Sequence, residues 1–419
     1  MNDDLEKRVW PKSPLKEEHL DAGQLKQFLA IRADYEKSAF VQEGHFEVRA
    51  LGAKEFTRPI PPGKSGICAL LSHSNGRIYG GTKGSRAHLF FYNPAPDADA
   101  VADLGVLPGM TGVTAMVEMA DQSVAVAAGD GSGRGKIFYY RPCEVLLRDR
   151  DFTGMGVREI FDFPAEDQMF FSTVDPCHSG GEVVESGLPV PDESIADLAT
   201  AGGRLWMIGG ESGRIYSVDP GGAEPELEMV FRLDPNGNFS RRFGRDAAGN
   251  LLAAGLYGRL FRLDAERGVW IDSGSCAPAL KGRELYNRVT AFTLEPRSGV
   301  VYGGTIDGII FRIDPESGRV VSLGKPTDQS NVVALAATGG RIYALLGLES
   351  DCARLGVYAP EDGEMRDLGC ILARSERPWN GYNFGAMIRG RDGVLFMGEC
   401  DRISHRFIYY PPVERENRL

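Results

Sequence analysis

Three of the six histidines, His88, His178 and His405, follow polar or glycine-containing stretches, and His88 and His405 each open an apolar, aromatic run. Imidazole changes charge near neutral pH, so histidines gathered at one loop class would serve as general acid or base. With Glu399 and Asp401 they could also supply metal ligands, although no ligand spacing of a recognised metal site is present and none is assigned. Tyr286 and Tyr382 are further candidates for removing a proton, each inside a long polar and aromatic stretch, 274–288 and 370–383. Arg241, Arg259 and Arg288 are candidates for neutralising a substrate carboxylate. Trp379 would stack on a sugar ring, and Asn287, Asn331 and Asn383 would read its hydroxyls. Each has a structural alternative: a solvated loop histidine, an arginine stem covering an aromatic neighbour, or an asparagine supplying left-handed turn geometry.

The elements that would position these groups repeat. HLFFYNP at 88–94 is matched by KIFYYRP at 136–142, RIYSVDP at 214–220, RLFRLDA at 259–265, IIFRIDP at 309–315, RLGVYAP at 354–360 and HRFIYYP at 405–411. A second apolar run precedes each copy, as in VVYGG at 300–304 and VLFMG at 394–398. β-Branched and aromatic residues with glycine-rich reversals predict antiparallel meanders. The first position of the copies reads His88, Lys136, Arg214, Arg259, Ile309, Arg354 and His405, a basic column broken only at Ile309. Such a column would focus an anion, or would be held by nearby carboxylates.

Inner-strand starts near Ile67, Val113, Val157, Ile195, Phe239, Val289, Val332 and Phe384 recur at roughly 40 to 50 residues, the period of four-stranded blades. The chain thus resembles a β-propeller over about residues 45–415. The glycine pairs Gly80–Gly81, Gly209–Gly210 and Gly303–Gly304 are similar to those of kelch blades, but the aromatics that follow them there are absent, as is the His to Trp-Asp signature of WD repeats. The fold expected is all-β: an eight-bladed β-propeller of four-stranded antiparallel blades, with seven blades as the alternative if the unit at 157–186 is an insertion. Residues 1–44 read as an N-terminal helical extension, amphipathic over about 17–38. Residues 45–419 read as the propeller, closed by pairing of a 45–51 strand with the last blade, which hides two sheet edges.

A net charge of −11 disfavours nucleic acid and anionic membrane as partners. The start of the chain has no apolar core of a leader and no run of about 18 apolar residues occurs, so a soluble cytoplasmic protein is expected. Seven cysteines without close pairs point to reduced thiols. At the level of architecture the chain is similar to propeller-fold polysaccharide lyases. That resemblance implies an intracellular enzyme cleaving an acidic, uronate-containing saccharide by β-elimination at the channel mouth, with an anionic small-molecule or oligosaccharide substrate and no required cofactor. The alternative is a non-catalytic propeller binding a protein or glycan through the same face.

Overall fold

A computed structural model describes residues 45–52, 60–93, 100–142, 183–234, 237–315, 317–348, 352–373, 379–391, 393–401 and 405–410. The apolar runs form strands, and the glycine and Asp-Pro stretches between them turn the chain back, so nearly every pairing joins sequence neighbours in antiparallel order. The result is a β-propeller. Its first blade is Gly66–Ser72, Ile78–Lys83, His88–Asn93 and Ala100–Val106. The second is Gly112–Glu118, Val124–Gly129, Gly135–Tyr140 and Val184–Glu185, joined to the first by one bridge, Lys83 to Gly112. Four more follow over 195–232, 244–276, 289–324 and 332–370. In the last, Phe384–Arg389, Leu395–Glu399 and His405–Tyr410 come from the end of the described chain, and His45–Ala50 supplies the outermost strand by pairing with His405–Tyr410.

Among the described residues the blades number seven. Of the segments read as an eighth unit, 157–163 and 169–173 lie outside the described residues. Val184 and Glu185 belong elsewhere: they pair with Tyr139 and Phe138 as the outer strand of the second blade. Blades two and three share one core, in which Ala127 and Ile137 meet Ile195 and Met207, so their inner strands are direct neighbours. The residues of the expected N-terminal helix, 1–44, also lie outside the described part.

Apolar clusters fill every gap between consecutive blades. The first and second share Tyr79, Val113 and Phe138, and the last and first share Phe396, Ile67 and Phe90. Glycine pairs explain how the sheets come so close. A Cβ on Gly303 would fall on the Phe311 ring of its own blade, and one on Gly304 on Val332, which opens the next blade's inner strand. Gly80 and Gly81 meet Phe90 and Val113 in the same way. The pair at Gly209–Gly210 sits differently, at the strand end beneath Glu193 and Ser194.

The ring closure carries one feature the cysteine spacing did not suggest. Cys68 of the first inner strand and Cys400, just beyond the second strand of the last blade, form a disulfide with Cα atoms 5.6 Å apart at a sequence separation of 332. These two thiols are therefore not reduced as expected; Cys276, Cys352 and Cys370 are free. Local spacing rules do not detect a partner at that separation.

Two outcomes follow for stability. Gly304→Val should cost about 2–3 kcal/mol in denaturant unfolding, because the side chain must displace Val332 from its seat, whereas Gly318→Ala, with open space around it, should cost only about 1 kcal/mol for its left-handed backbone. Non-reducing peptide mapping should recover a Cys68–Cys400 link, and Cys400→Ser should lower unfolding free energy by about 2–4 kcal/mol.

Candidate functional site

The turns between second and third strands share a face with the connections that lead into the next inner strand, as hydrogen bonds from Gly84 N to Thr111 O and from Ala277 N to Gly258 O record. At the centre lies the channel, a cavity of about 190 Å³ lined by Cys68, Met116, Asp197, Arg242, Thr290, Val333 and Met387, one from each blade. Its walls expose polar and apolar surface in nearly equal measure. Arg242 reaches across it from blade four, donating through Nη1 to the carbonyls of Thr114 and Ala196 at 3.1 and 3.4 Å and pairing with Asp197 at 3.4 Å. Asp197 also accepts from Phe243 N at 2.7 Å. Burial raises the Asp197 carboxyl, and Arg242 and that N–H pull it back only in part. The guanidinium thus lines the channel while tied to blades two and three.

The basic column is not a ring of free charges. His88 Nδ1 meets Asp103 Oδ2 at 2.9 Å, Lys136 meets Glu185 at 2.8 Å, and Arg354 meets Asp367 Oδ2 at 2.6 Å. Arg259 pairs with Asp272. Every carboxylate comes from the outer strand of the same blade. Asp103, Asp272 and Asp367 each accept, with the other oxygen, the N–H two residues on, from Gly105, Gly274 and Gly369 at 2.8–2.9 Å. These glycines have φ of +126°, +71° and +102°, values that L side chains rarely adopt. In blade five the column holds Ile309 and the equivalent carboxylate position holds Ser322, so the charge is missing on both sides, whereas in blade three Arg214 stands in the column and Met229 holds the carboxylate position. An Asp-x-Gly recurrence at 103, 272 and 367, with Glu-x-Gly at 185, was present in the sequence as a second column. Burial opposes the charge on Arg354, but the hydrogen bonds and charge of Asp367 outweigh it and hold the guanidinium above its ordinary range.

Of the three candidate histidines, only the side chain of His88 lies among the described residues. His88 is 5% exposed and enclosed, its Nε2 buried without a hydrogen-bond partner. His178 and the side chain of His405 lie outside the described residues; the His405 backbone pairs with Ala50. The side-chain amides of the three asparagines serve the scaffold: Asn287 donates to Ala277 O at 2.9 Å, Asn331 to Gly347 O at 3.1 Å and Asn383 to Cys400 O at 3.2 Å. Asn331 has φ of +60°. Trp379 is described only by its backbone, paired with Ala373. Tyr286 is 61% exposed on a short 3-10 turn, Glu284–Tyr286, and Tyr382 is 45% exposed with its N–H donating to Glu399 Oε1 at 3.2 Å. Among the described residues no three His, Cys, Asp or Glu side chains cluster as a metal site would require.

Two of the chosen arginines do come together. Arg241, at the rim of blade four, lies close enough to Arg288, which leads into the inner strand of blade five, for its charge to be felt there. Burial and then that charge lower the Arg288 guanidinium below its ordinary range. Among the described residues neither side chain has a carboxylate or hydrogen-bonding partner. By contrast the neighbouring Arg283 is paired with buried Asp307 at 2.9 Å. Around the pair the 3-10 turn Leu256–Gly258 packs on Glu284–Tyr286, leaving Tyr257, Leu285 and Tyr286 exposed. Asn238 Nδ2 ties the two loops by donating to Leu285 O at 3.2 Å. Neither Tyr257 nor Leu285 had a signal in the repeat wording, because both lie in connections where the blades differ; Arg242, by contrast, stands where a charge in an inner strand is expected to line the channel and needs a partner.

No family model matches this chain, and no curated protein sequence is similar to it. Its fold is similar to solved WD40-type propellers. The Mitotic Checkpoint Complex structure gives a TM-score of 0.54 at 13% identity, over 89% of this chain and 93% of the other. U3-55K gives 0.52 at 11% over 87% and 98%, and the RRP9 WD40 repeats give 0.53 at 12% over 88% and 99%. At such identities the likeness is one of fold. No helix among the described residues is long and apolar enough to cross a membrane.

The same-blade pairs rank themselves by burial. With the Arg354 side chain 19% exposed and that of Arg259 55% exposed, Asp367→Ala should lower unfolding free energy by about 2 kcal/mol, leaving a half-buried cation unpaired. Asp272→Ala should produce a much smaller change, and Ser322→Ala, at the uncharged copy, almost none; chemical denaturation of the three variants checks the order.

Proposed function

We propose that this propeller is a non-catalytic binding module that holds an acidic segment of a protein partner on the face bearing Arg241, Arg288, Tyr257, Leu285 and Tyr286. The observation that carries the reading is the arginine pair. On a chain of net charge −11, Arg241 and Arg288 stand on adjoining blades, the charge of the first disfavours that of the second, and among the described residues neither has a counter-ion. An incoming carboxylate would remove that repulsion and gain charge-assisted, forked hydrogen bonds. Exposed tyrosines and an exposed leucine beside arginine have the composition of an interface centre. One of the similar folds was solved within the Mitotic Checkpoint Complex, and an assembly role agrees with this reading.

A uronate would offer the same carboxylate, so the lyase reading expected from sequence meets the same arginines. What it lacks is a placed base. His88 is buried against Asp103 in blade one, across the ring from blades four and five, and Asn287, Asn331 and Asn383 spend their amides on the scaffold. Among the described residues, Tyr286 alone of the expected proton acceptors stands beside Arg288.

Peptides selected from a random displayed library on the purified chain should bind more weakly, by about tenfold or more, to Tyr257→Ala/Tyr286→Ala and to Arg241→Glu/Arg288→Glu, and more weakly as salt rises. In parallel, a panel of uronate oligosaccharides should give no ultraviolet absorbance from unsaturated products. An absorbance rise abolished by Arg288→Gln would replace this reading with the lyase, and selected peptides indifferent to all four substitutions would remove the face from consideration.

A further inference from the structure

Between blades six and seven, on the same face, lies a cavity of about 230 Å³ lined by Val333, Leu346, Leu348, Ala353, Tyr382 and Phe384, with Asn331 and Asn383 at its edges. Among the described residues no charged side chain lines it. Leu348 and Tyr382 are 44% and 45% exposed at its lip, an unusual pairing of large apolar surface with an open concavity. Its floor is built before anything enters. Asn331 and Gly347 exchange hydrogen bonds, N to O at 3.2 Å and Nδ2 to O at 3.1 Å, and Asn383 and Cys400 do the same at 2.6 and 3.2 Å. Asn331 is held in left-handed backbone to do so. A preformed concavity loses little order on binding. Its volume exceeds the roughly 150 Å³ that holds a benzene ring.

One residue links this cavity to the arginine pair. Ile306 donates its N–H to Arg288 O at 2.9 Å and accepts from Asn331 N at 2.8 Å. Arg288 and the cavity edge are therefore separated by a single peptide unit and two hydrogen bonds, roughly 10 Å of backbone. An extended peptide advances about 3.3 Å per residue, so roughly two to four residues span that gap.

We propose that the face is a bipartite peptide site: Arg241 and Arg288 take an acidic side chain, and the cavity between blades six and seven takes a bulky apolar side chain from the same extended segment, roughly two to four residues away. This rests on the binding reading above and adds its partner's chemistry. The charge pattern chooses the occupant. The anionic end is set by Arg241 and Arg288, which have no counter-ion among the described residues, and the other end by a lining in which Val333, Leu346, Leu348 and Phe384 stand beside Asn331, Tyr382 and Asn383 with no charged side chain among the described residues.

The test is the sequence pattern and variant response of peptides selected from a random displayed library on the full chain. Enriched peptides should carry Asp or Glu separated by roughly two to four residues from Phe, Leu, Met or Trp. Fluorescence polarisation of a labelled enriched peptide should weaken about tenfold or more with Arg288→Gln, and likewise with Leu348→Asp. Replacing the peptide's acid by its amide should cost affinity in the wild type but little more in Arg288→Gln, a coupling that misfolding would not produce. Leu348 and Arg288 are not core residues, and unchanged thermal unfolding of both variants confirms that the fold is kept. If binding survives Leu348→Asp yet falls with Tyr257→Ala/Tyr286→Ala, the cavity proposal is overturned and the face reading stands. If enriched peptides lack the acid, or none of these substitutions matters, both are overturned. Failure of the library to yield any binder also counts against the bipartite site.

Discussion

Everything in this molecule depends on how closely one blade can lie against the next. The apolar residue that opens each inner strand, such as Val113, Val332 or Ile67, is seated on the second strand of the preceding blade, over Gly81, Gly304 and Gly398 respectively. Where the seat is not glycine the neighbouring core is filled by other means, as where Ala115 and Ala127 pack with Ile195 and Leu198. Because each blade supplies a seat to one neighbour and an occupant to the other, the contacts close only as a ring. The disulfide between Cys68 and Cys400 and the pairing of His45–Ala50 with His405–Tyr410 both fall at the junction where the chain must meet itself. That junction has no covalent continuity of its own, so cross-links there restrict the unfolded chain most.

The ring also decides what the charges do. A strand start on the third strand and an Asp-x-Gly bulge on the fourth face each other in blade after blade, so a cation and an anion meet without leaving the blade. Pairs such as Arg354–Asp367 are local features with a structural purpose, and the positive-φ glycine after each aspartate is what turns its N–H toward the carboxylate. Arg242 follows the same rule by another route, spending its donors on two bulge carbonyls and on Asp197. Arg241 and Arg288, like Arg214 of the column, have no counter-ion among the described residues, but they alone of these lie on the two blades joined by the Leu256–Gly258 and Glu284–Tyr286 turns.

The meander strands were readable because their signal is local: alternating apolar and aromatic residues ended by glycine or Asp-Pro need no distant contact to specify them. The blade count was less readable. The outer strand of blade two, Val184–Glu185, is separated from its partner Gly135–Tyr140 by residues 141–183, and a long interval in a repeat looks the same whether it holds another blade or interrupts one. The Asp-x-Gly column was equally visible but lies in the least regular strand, where bulges shift its register against the other copies. Among the site residues, the sequence could propose Arg241 and Arg288 singly, yet it gave equal standing to His88, which turned out to be enclosed.

By itself, then, the sequence determined the all-β repeat, the strand identities within each blade and the residue types available at one face, since these follow from periodicity and backbone preference. The tertiary structure alone decided which of those residues meet. Arg241 and Arg288 belong to different blades and become neighbours only when Phe292 packs over Gly244 and brings blade five against blade four. Arg288 and Asn331 are joined only through the backbone of Ile306. Proximity between blades is set by the closure of the ring, a global condition that no window of sequence contains.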